Sequence, residues 1–117
     1  MSQKKKPDND AGPTIVMVWT TVGRHSDAQK LATDLVENRL AACVQIDGPV
    51  TSTYRWQASV ETEPEVRLLI KTSPAAVNEL HRWFIENHPY DEPELVVTPV
   101  MTASPSYAQW VIDQTSL

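Results

Sequence analysis

The densest group of side chains suited to metal binding or acid–base chemistry lies in the seven residues 88–94. This segment holds one imidazole, one phenol and three carboxylates, stiffened by two prolines: His88, Pro89, Tyr90, Asp91, Glu92, Pro93 and Glu94. Imidazole and carboxylate together suit divalent ions of the first transition row. The same residues are also typical of a helix end followed by a solvated acidic loop, and an isolated HxxD spacing favours that second interpretation. The segment therefore indicates a candidate metal site with a structural alternative.

Cys43 is the only cysteine in the 117 residues. A free cysteine is usually a small buried hydrophobic residue, and its alternative roles are those of a soft metal ligand or a redox thiol. Because no second cysteine is present, the sequence favours the structural role. A single cysteine also excludes an intrachain disulfide and fits a reducing compartment, so we expect a cytoplasmic protein.

The motifs of common enzymes and of structural zinc sites are absent from the sequence. There is no GxSxG, no HExxH and no CxxC, and three glycines are too few for a glycine-rich phosphate loop. A covalent mechanism needs a nucleophile, a base and an orienting group within reach of one another, and the sequence suggests no such set. We therefore expect that the protein is not an enzyme and has no structural zinc site.

The composition predicts one compact domain. A chain of 117 residues with 41% hydrophobic and 21% charged residues is typical of a globular protein. The formal net charge is −5, and an acidic surface is unsuited to nucleic acid. No apolar run approaches the roughly 20 residues that span a bilayer, so we expect no membrane partner either. Residues 1–13 are polar and are predicted to form a disordered tail, followed by one domain over residues 14–117.

Hydrophobic periodicity predicts four strands and three helices. Strands are expected at residues 14–22, 42–56, 66–72 and 94–100, with a bend at Gly48-Pro49 and a polar turn at 59–65. The first helix is expected to start at an N-cap Ser26, and two further helices at Ser73-Pro74 and Ser104-Pro105. The apolar stripes predicted to face the core comprise Ala28, Leu31, Ala32, Leu35 and Val36 in the first helix and Val77, Leu80, Phe84 and Ile85 in the second.

This order of elements predicts an α+β fold, a ferredoxin-like βαββαβ sandwich with a C-terminal helix. The antiparallel sheet should have the spatial order 4-1-3-2, with both crossover helices on one face. The hairpin between the second and third strands is longer than the fold requires, and the free sheet edges need cover that an oligomer can supply. In such a sheet Cys43 and His88 lie at opposite corners, so they can cooperate only across a subunit boundary.

RNA-recognition modules share this order of elements. They stack bases on aromatic side chains of the two central strands beside basic residues. The predicted third strand, residues 66–72, contains no aromatic residue. Together with the acidic composition, this argues against an RNA-binding function.

Several motifs, in order along the chain, resemble the CutA divalent-cation-tolerance family. They are residues 39–44 (RLAACV), 54–56 (YRW) and 68–72 (LLIKT), then His88-Pro89-Tyr90 with Pro93-Glu94, and Ser104-Pro105 with Tyr107 and Trp110. The resemblance implies a ferredoxin-like fold assembled as a tight trimer like that of the PII signalling proteins. It also implies tolerance of copper and other divalent metals, and copper binding.

The resemblance assigns four candidate metal ligands by position. The family's cysteine matches Cys43, the histidine of its HPY motif matches His88, and two acidic positions match Asp91 and Glu94. The sequence departs from the family pattern elsewhere: Gln45 replaces an asparagine, residues 57–59 (QAS) replace Glu-Gly-Lys, and Asp91-Glu92 replaces a glutamate and an apolar residue.

The resulting expectation is a cytoplasmic homotrimer that responds to divalent metal ions through copper binding, without needing copper to fold. The alternative is a PII-like regulatory module that binds a small metabolite or a protein in the clefts between subunits.

Overall fold

The computed structural model describes residues 12–116 as one α+β domain of four strands and three α-helices. In chain order the elements are β1 Val16–Val22, α1 His25–Glu37, β2 Cys43–Trp56, β3 Ser59–Thr72, a 3-10 turn Pro74–Ala76, α2 Val77–Asn87, β4 Val96–Pro99 and α3 Pro105–Gln114. The tail predicted for residues 1–13 lies almost wholly outside the described residues and stays a prediction. No helix among the described residues is long and apolar enough to cross a membrane.

The sheet has the order β2-β3-β1-β4, and every neighbouring pair is antiparallel. This confirms the predicted strand order. The registers place Val18 beside Ile70 and Thr20 beside Leu68 in the centre of the sheet. Because side chains alternate along a strand, these residues share one face, which we call the helix face.

The main core lies between the helix face and helices α1 and α2. Its fully enclosed side chains include Val18, Leu35, Leu68, Leu80 and Phe84, each with no exposed surface. Two residues predicted to belong to the core stripes are exposed instead: Val36 by 44% and Ile85 by 69%. Each is the last position of its stripe, where the helix surface has already turned from the sheet, so the apolar stripe is narrower than predicted.

The β2–β3 hairpin is longer than predicted, because residues 59–65 form the first half of β3 rather than a turn. The actual turn is the pair Gln57-Ala58, whose positive φ angles of 48° and 70° match the tight turns that join twisted strands. Both faces of this outer part of the hairpin carry polar residues, so the sequence lacks the alternation that identifies a strand. The predicted bend at Gly48-Pro49 is confirmed as a register shift between Asp47 and Val50.

Helix α3 begins at Pro105 after Ser104, as predicted, whereas the other two helices begin two and three residues away from their predicted starts. Helix α1 begins at His25 with Arg24 in the N-cap position, so Ser26 lies inside the first turn and makes no capping hydrogen bond. Ser73 precedes the 3-10 turn, and its hydroxyl accepts a hydrogen bond from Thr115 at 3.1 Å instead of capping the helix. Strand β4 is also shorter than predicted, since it covers only Val96–Pro99.

Helix α3 covers one end of the sheet rather than a face. It packs Ala108 and Val111 against Ile15 and Ala42. The sheet face opposite to α1 and α2 therefore has no helix across its centre. We call it the open face; it carries the alternate residues Met17, Trp19 and Thr21 of β1, Arg67, Leu69 and Lys71 of β3, and Cys43, Gln45 and Asp47 of β2.

Candidate metal site and acidic groove

His88 is buried at the end of α2, under the helix face of the sheet. Only 8% of its surface is exposed, and its ring packs edge-on against Phe84 at a centroid distance of 5.2 Å. Its Nδ1 accepts a hydrogen bond from the backbone N–H of Tyr90 at 3.0 Å, and its Nε2 lies 3.0 Å from Thr20 Oγ1. Both ring nitrogens are therefore engaged in hydrogen bonds within the fold.

These contacts favour neutral His88. The acceptor role of Nδ1 places the single ring proton on Nε2, which donates to Thr20. Burial lowers the pKa of His88, against the opposing effects of a hydrogen bond to the backbone of Thr21 and of the charge of Glu65. The His88 side chain thus links strand β1 to the loop that follows α2.

That loop, residues 88–95, curves round the end of β1 from the helix face to the open face. Tyr90 anchors it there, because its hydroxyl donates to Glu65 Oε2 at 2.8 Å. Asp91, Glu92 and Glu94 follow as exposed carboxylates. Of the candidate ligands in this segment, His88 thus lies on one side of the sheet, whereas Asp91 and Glu94 line a groove on the other.

The groove has a volume of about 680 Å³ and lies between the loop and the outer half of the β2–β3 hairpin. It is walled by three aromatic side chains, and its other lining is mostly acidic. The carboxylates are Glu61, Glu63, Glu65, Asp91, Glu92 and Glu94, and the aromatic residues are Tyr54, Trp56 and Tyr90. We call this feature the acidic groove. Its lining contains six carboxylates and no lysine or arginine, so it attracts cations.

The pKa values of three groups in the acidic groove are raised, first by hydrogen bonding or desolvation and then by the charge of neighbouring glutamates. A hydrogen bond to Glu63, with further contributions from desolvation and the neighbouring glutamates, raises the pKa of Tyr54 to about 12. Burial and the bond to Glu65 raise the pKa of Tyr90 as well. Partial desolvation and the charge of Glu65 raise the pKa of Glu94, while Arg67 lowers it.

Cys43 lies away from both His88 and the acidic groove. It is half-buried at the first position of β2, on the open face, where it pairs with Lys71. His88 instead contacts Thr20, two strands away and on the helix face. The sheet thus separates the thiol from the imidazole within the chain. The sequence predicts the two residues at opposite corners of the sheet, whereas His88 lies beside the central strand β1 and on the face opposite to Cys43.

The four candidate ligands do not meet within one chain. Among residues 12–116, no three histidine, cysteine, aspartate or glutamate side chains lie close enough together to hold a metal ion. The structure brings Asp91 and Glu94 into one groove, and it leaves Cys43 and His88 in two other places.

Sequence reasoning missed the hairpin's contribution to the acidic groove. The sequence predicts a turn over residues 59–65, whereas Glu61, Glu63 and Glu65 lie in β3 and line the acidic groove together. Their spacing of two residues was the available signal, since alternate residues of a strand share a face. Pro64 and the exposed polar neighbours obscured that signal.

The fold and the groove define the class: a small α+β protein with a four-stranded antiparallel sheet and an acidic cleft beside its long hairpin. The family model described as "CutA1 divalent ion tolerance protein" matches residues 16–114. The chain therefore belongs to the CutA1 family, which confirms the resemblance found in the sequence.

Individual relatives agree with this assignment. The "Divalent-cation tolerance protein CutA" of Thermus thermophilus is 39% identical over 99 residues, which cover 85% of this chain and 96% of that protein. The chloroplastic CutA of Arabidopsis thaliana is 36% identical over 103 residues, 88% of this chain, and the match spans only 56% of its length. The solved structure of CutA from Synechococcus elongatus superposes with a TM-score of 0.85 at 35% identity, covering 91% of this chain and 94% of that one.

Proposed function

We propose that this protein acts in divalent-cation tolerance as a cytoplasmic homotrimer that binds divalent metal ions, copper in preference to magnesium or calcium. The observation that carries the proposal is the acidic groove with its six carboxylates, in a chain of the CutA1 family. A groove of this charge raises the local concentration of cations whatever their identity. Selectivity has to come from softer ligands.

Cys43 and His88 supply the softer ligand types. Thiolate prefers Cu(I), imidazole suits Cu(II), and affinity for nitrogen and sulfur ligands rises along the first transition row toward copper. Because the sheet separates these residues in one protomer, a shared site with Asp91 or Glu94 requires that two protomers meet. Nδ1 of His88 also has to release the N–H of Tyr90 before it can bind a metal ion. Assembly is thus an integral part of the proposal.

The trimer is supported by surface that one protomer leaves uncovered. The hairpin extends past the core and exposes apolar side chains, with Trp56 exposed by 51% and Val60 by 62%. On α3, Trp110 is exposed by 43%. Exposed aromatic and apolar surface of this kind marks contact sites. Light scattering coupled to size exclusion should give about three times the protomer mass of 13.1 kDa, and a stable monomer at micromolar concentration would contradict it.

The alternative function is a PII-like module that binds a small metabolite or a protein between subunits. The specific observation in its favour is the size and aromatic wall of the acidic groove, since about 680 Å³ lies within the usual range of small-molecule sites. Its acidic lining restricts such a ligand to a cation or a neutral molecule.

A thermal-shift panel separates the two functions. The wild-type protein is heated with copper, zinc, magnesium or calcium chloride, or with nucleotides, amino acids and polyamines. A ligand that binds only the folded state raises the melting temperature by mass action. Metal tolerance through binding predicts a shift with copper that exceeds the shift with magnesium. A shift with one metabolite and none with any metal would favour the regulatory module.

A further inference from the structure

The acidic groove combines carboxylates with exposed aromatic surface. Tyr54 and Trp56 are alternate residues of β2, so they share a face, and they are exposed by 39% and 51%. Tyr90 belongs to the wall that the loop after α2 provides. Aromatic side chains that line a cavity of about 680 Å³ present their π faces to a ligand. Because the other lining is mostly acidic, a cation that also has apolar surface matches both features of the groove.

The hairpin carboxylates of the groove form a row with regular spacing. Glu61, Glu63 and Glu65 are alternate residues of one strand, so they share a face and follow one another at intervals of about 7 Å. One oxygen of each carboxylate accepts a hydrogen bond from a nearby hydroxyl group; the donors are, in that order, Ser59, Tyr54 and Tyr90. These bonds hold the carboxylates in place, and the second oxygen of each can accept a hydrogen bond from a ligand.

This row suits a chain of positive charges better than it suits one metal ion. Oxygen ligands lie about 2.0–2.6 Å from a divalent ion, so they have to converge on one point. In the described part of the chain, no three histidine, cysteine, aspartate or glutamate side chains converge in this way. Two amines joined by four methylene groups are separated by five bonds of about 1.5 Å, which span about 6 Å when extended. That separation is close to the interval between neighbouring carboxylates of the row.

We propose that the acidic groove binds a linear aliphatic polyamine, with successive ammonium groups along the row Glu61, Glu63 and Glu65 and the methylene segments against Tyr54 and Trp56. The inference rests on the alternative function proposed above, for which it names the ligand class, and it requires neither copper nor assembly. Each ammonium group donates charge-assisted hydrogen bonds to the carboxylates, and cation–π attraction to the aromatic wall adds to them. A compact cation of equal charge reaches the carboxylates but leaves the aromatic wall uncovered.

Isothermal titration of the full chain with spermidine and with hexaamminecobalt(III) tests the inference. Both cations carry three positive charges at neutral pH, because aliphatic amines ionise near pH 10. They differ in shape, since spermidine spreads its charges along a methylene chain and the cobalt complex is compact. We expect spermidine to bind more tightly by about tenfold. Equal affinity, or tighter binding of the compact ion, would overturn the inference and leave a groove that attracts cations by charge alone.

Variants of exposed residues test the row and the aromatic wall separately, with circular dichroism to check the fold. Glu63→Gln removes the central charge of the row and should weaken spermidine binding by about tenfold, whereas Glu79→Gln on α2 removes a charge outside the groove and should leave it unchanged. Trp56→Leu removes the ring and should weaken binding by about fivefold, whereas Trp56→Phe keeps a π face and should stay within about threefold of wild type. Wild-type affinity in both Glu63→Gln and Trp56→Leu would place the ligand elsewhere and overturn the inference.

Copper(II) titration of the same wild-type sample keeps failure of the inference distinguishable from failure of the proposed function. Copper binding without spermidine binding would overturn the inference alone. Spermidine binding without copper binding would support the inference and overturn the proposed metal binding. Absence of binding with both ligands would overturn the two together.

Discussion

The backbone N–H of Tyr90 donates a hydrogen bond to Nδ1 of His88 across 3.0 Å, while the opposite ring nitrogen faces the hydroxyl of Thr20. The contact between His88 and Tyr90 holds in place the loop that forms one wall of the acidic groove. His88 holds the start of the loop to the helix face, and the Tyr90 hydroxyl holds the next part of the loop to Glu65 on the open face. Anything that protonates or displaces the imidazole therefore also disturbs one wall of the groove.

The first prediction concerns the pH dependence of stability in metal-free buffer. Burial lowers the pKa of His88 in the folded protein, whereas the unfolded chain has the ordinary value of about 6.5. The unfolded state then binds more protons just below that value. The stabilising contribution of neutral His88 is complete above about pH 6.5 and is lost as the pH falls toward the folded-state pKa.

Denaturant unfolding of wild type and His88→Gln between about pH 5.5 and pH 8, with a chelator present, measures this contribution. The stability difference between the two proteins should shrink as the pH falls. A difference that grows on acidification would show that His88 is charged in the fold. The exposed His81 provides a matched substitution, since His81→Gln at pH 8 should change the free energy of unfolding by less than about 0.5 kcal/mol.

A second prediction compares two adjacent residues of α2. Phe84 has no exposed surface, whereas Ile85 is exposed by 69%. Phe84→Ala should lower the free energy of unfolding by about 3–5 kcal/mol, because it leaves a cavity against α1 and the sheet. Ile85→Ala should change it by less than about 0.5 kcal/mol. Equal losses in the two variants would restore Ile85 to the core stripe and contradict the observed orientation of the helix.

A third prediction uses the raised pKa of Tyr54, about 12, which follows first from its hydrogen bond to Glu63. Ultraviolet titration of tyrosinate should show this phenol ionising well above the ordinary value of about 10. Glu63→Gln removes the carboxylate charge and should bring the pKa down toward that ordinary value. Tyr54→Phe identifies the transition by deleting it. An unchanged titration in Glu63→Gln would contradict the bond as the cause.

Much of the fold could be predicted from the sequence, because its signals are local. The β-branched run before Gly23 indicates a buried strand, and the leucine stripe of α1 indicates a helix that packs against the sheet. The strand order follows from the order of the elements along the chain. The extended half of β3 could not be predicted in the same way. Glu61, Glu63 and Glu65 form a strand because they pair with β2 across the hairpin. Neither face of this half of β3 is buried, so its sequence has no apolar alternation.

The candidate site was predicted only in part, for a related reason. Residue types identified the loop from His88 to Glu94. The sequence predicted Cys43 and His88 apart at two corners of the sheet, whereas the structure separates them by the two faces of the sheet. The sequence could not show that the imidazole is engaged at both nitrogens, since its partners Thr20 and Tyr90 are ordinary polar residues of a strand and a loop. The contribution of the hairpin to the groove depended on the same unpredicted pairing.

The central claim is that the assembled protein binds divalent copper through the proposed ligands, and isothermal titration of copper(II) tests it most directly. The series comprises wild type, Cys43→Ala, His88→Gln, the double variant Asp91→Asn/Glu94→Gln, and Glu79→Gln as a control away from the groove. Asp91 and Glu94 are exposed, so their amide replacements should keep the fold.

We expect wild type and the control to bind copper(II) equally and more tightly than magnesium, and the three ligand variants to bind it more weakly, by about tenfold or more. A parallel titration with Cu(I) under reducing conditions should show the larger loss for Cys43→Ala, because thiolate prefers the softer ion. Equal copper affinity in all five proteins would contradict the metal site at these residues.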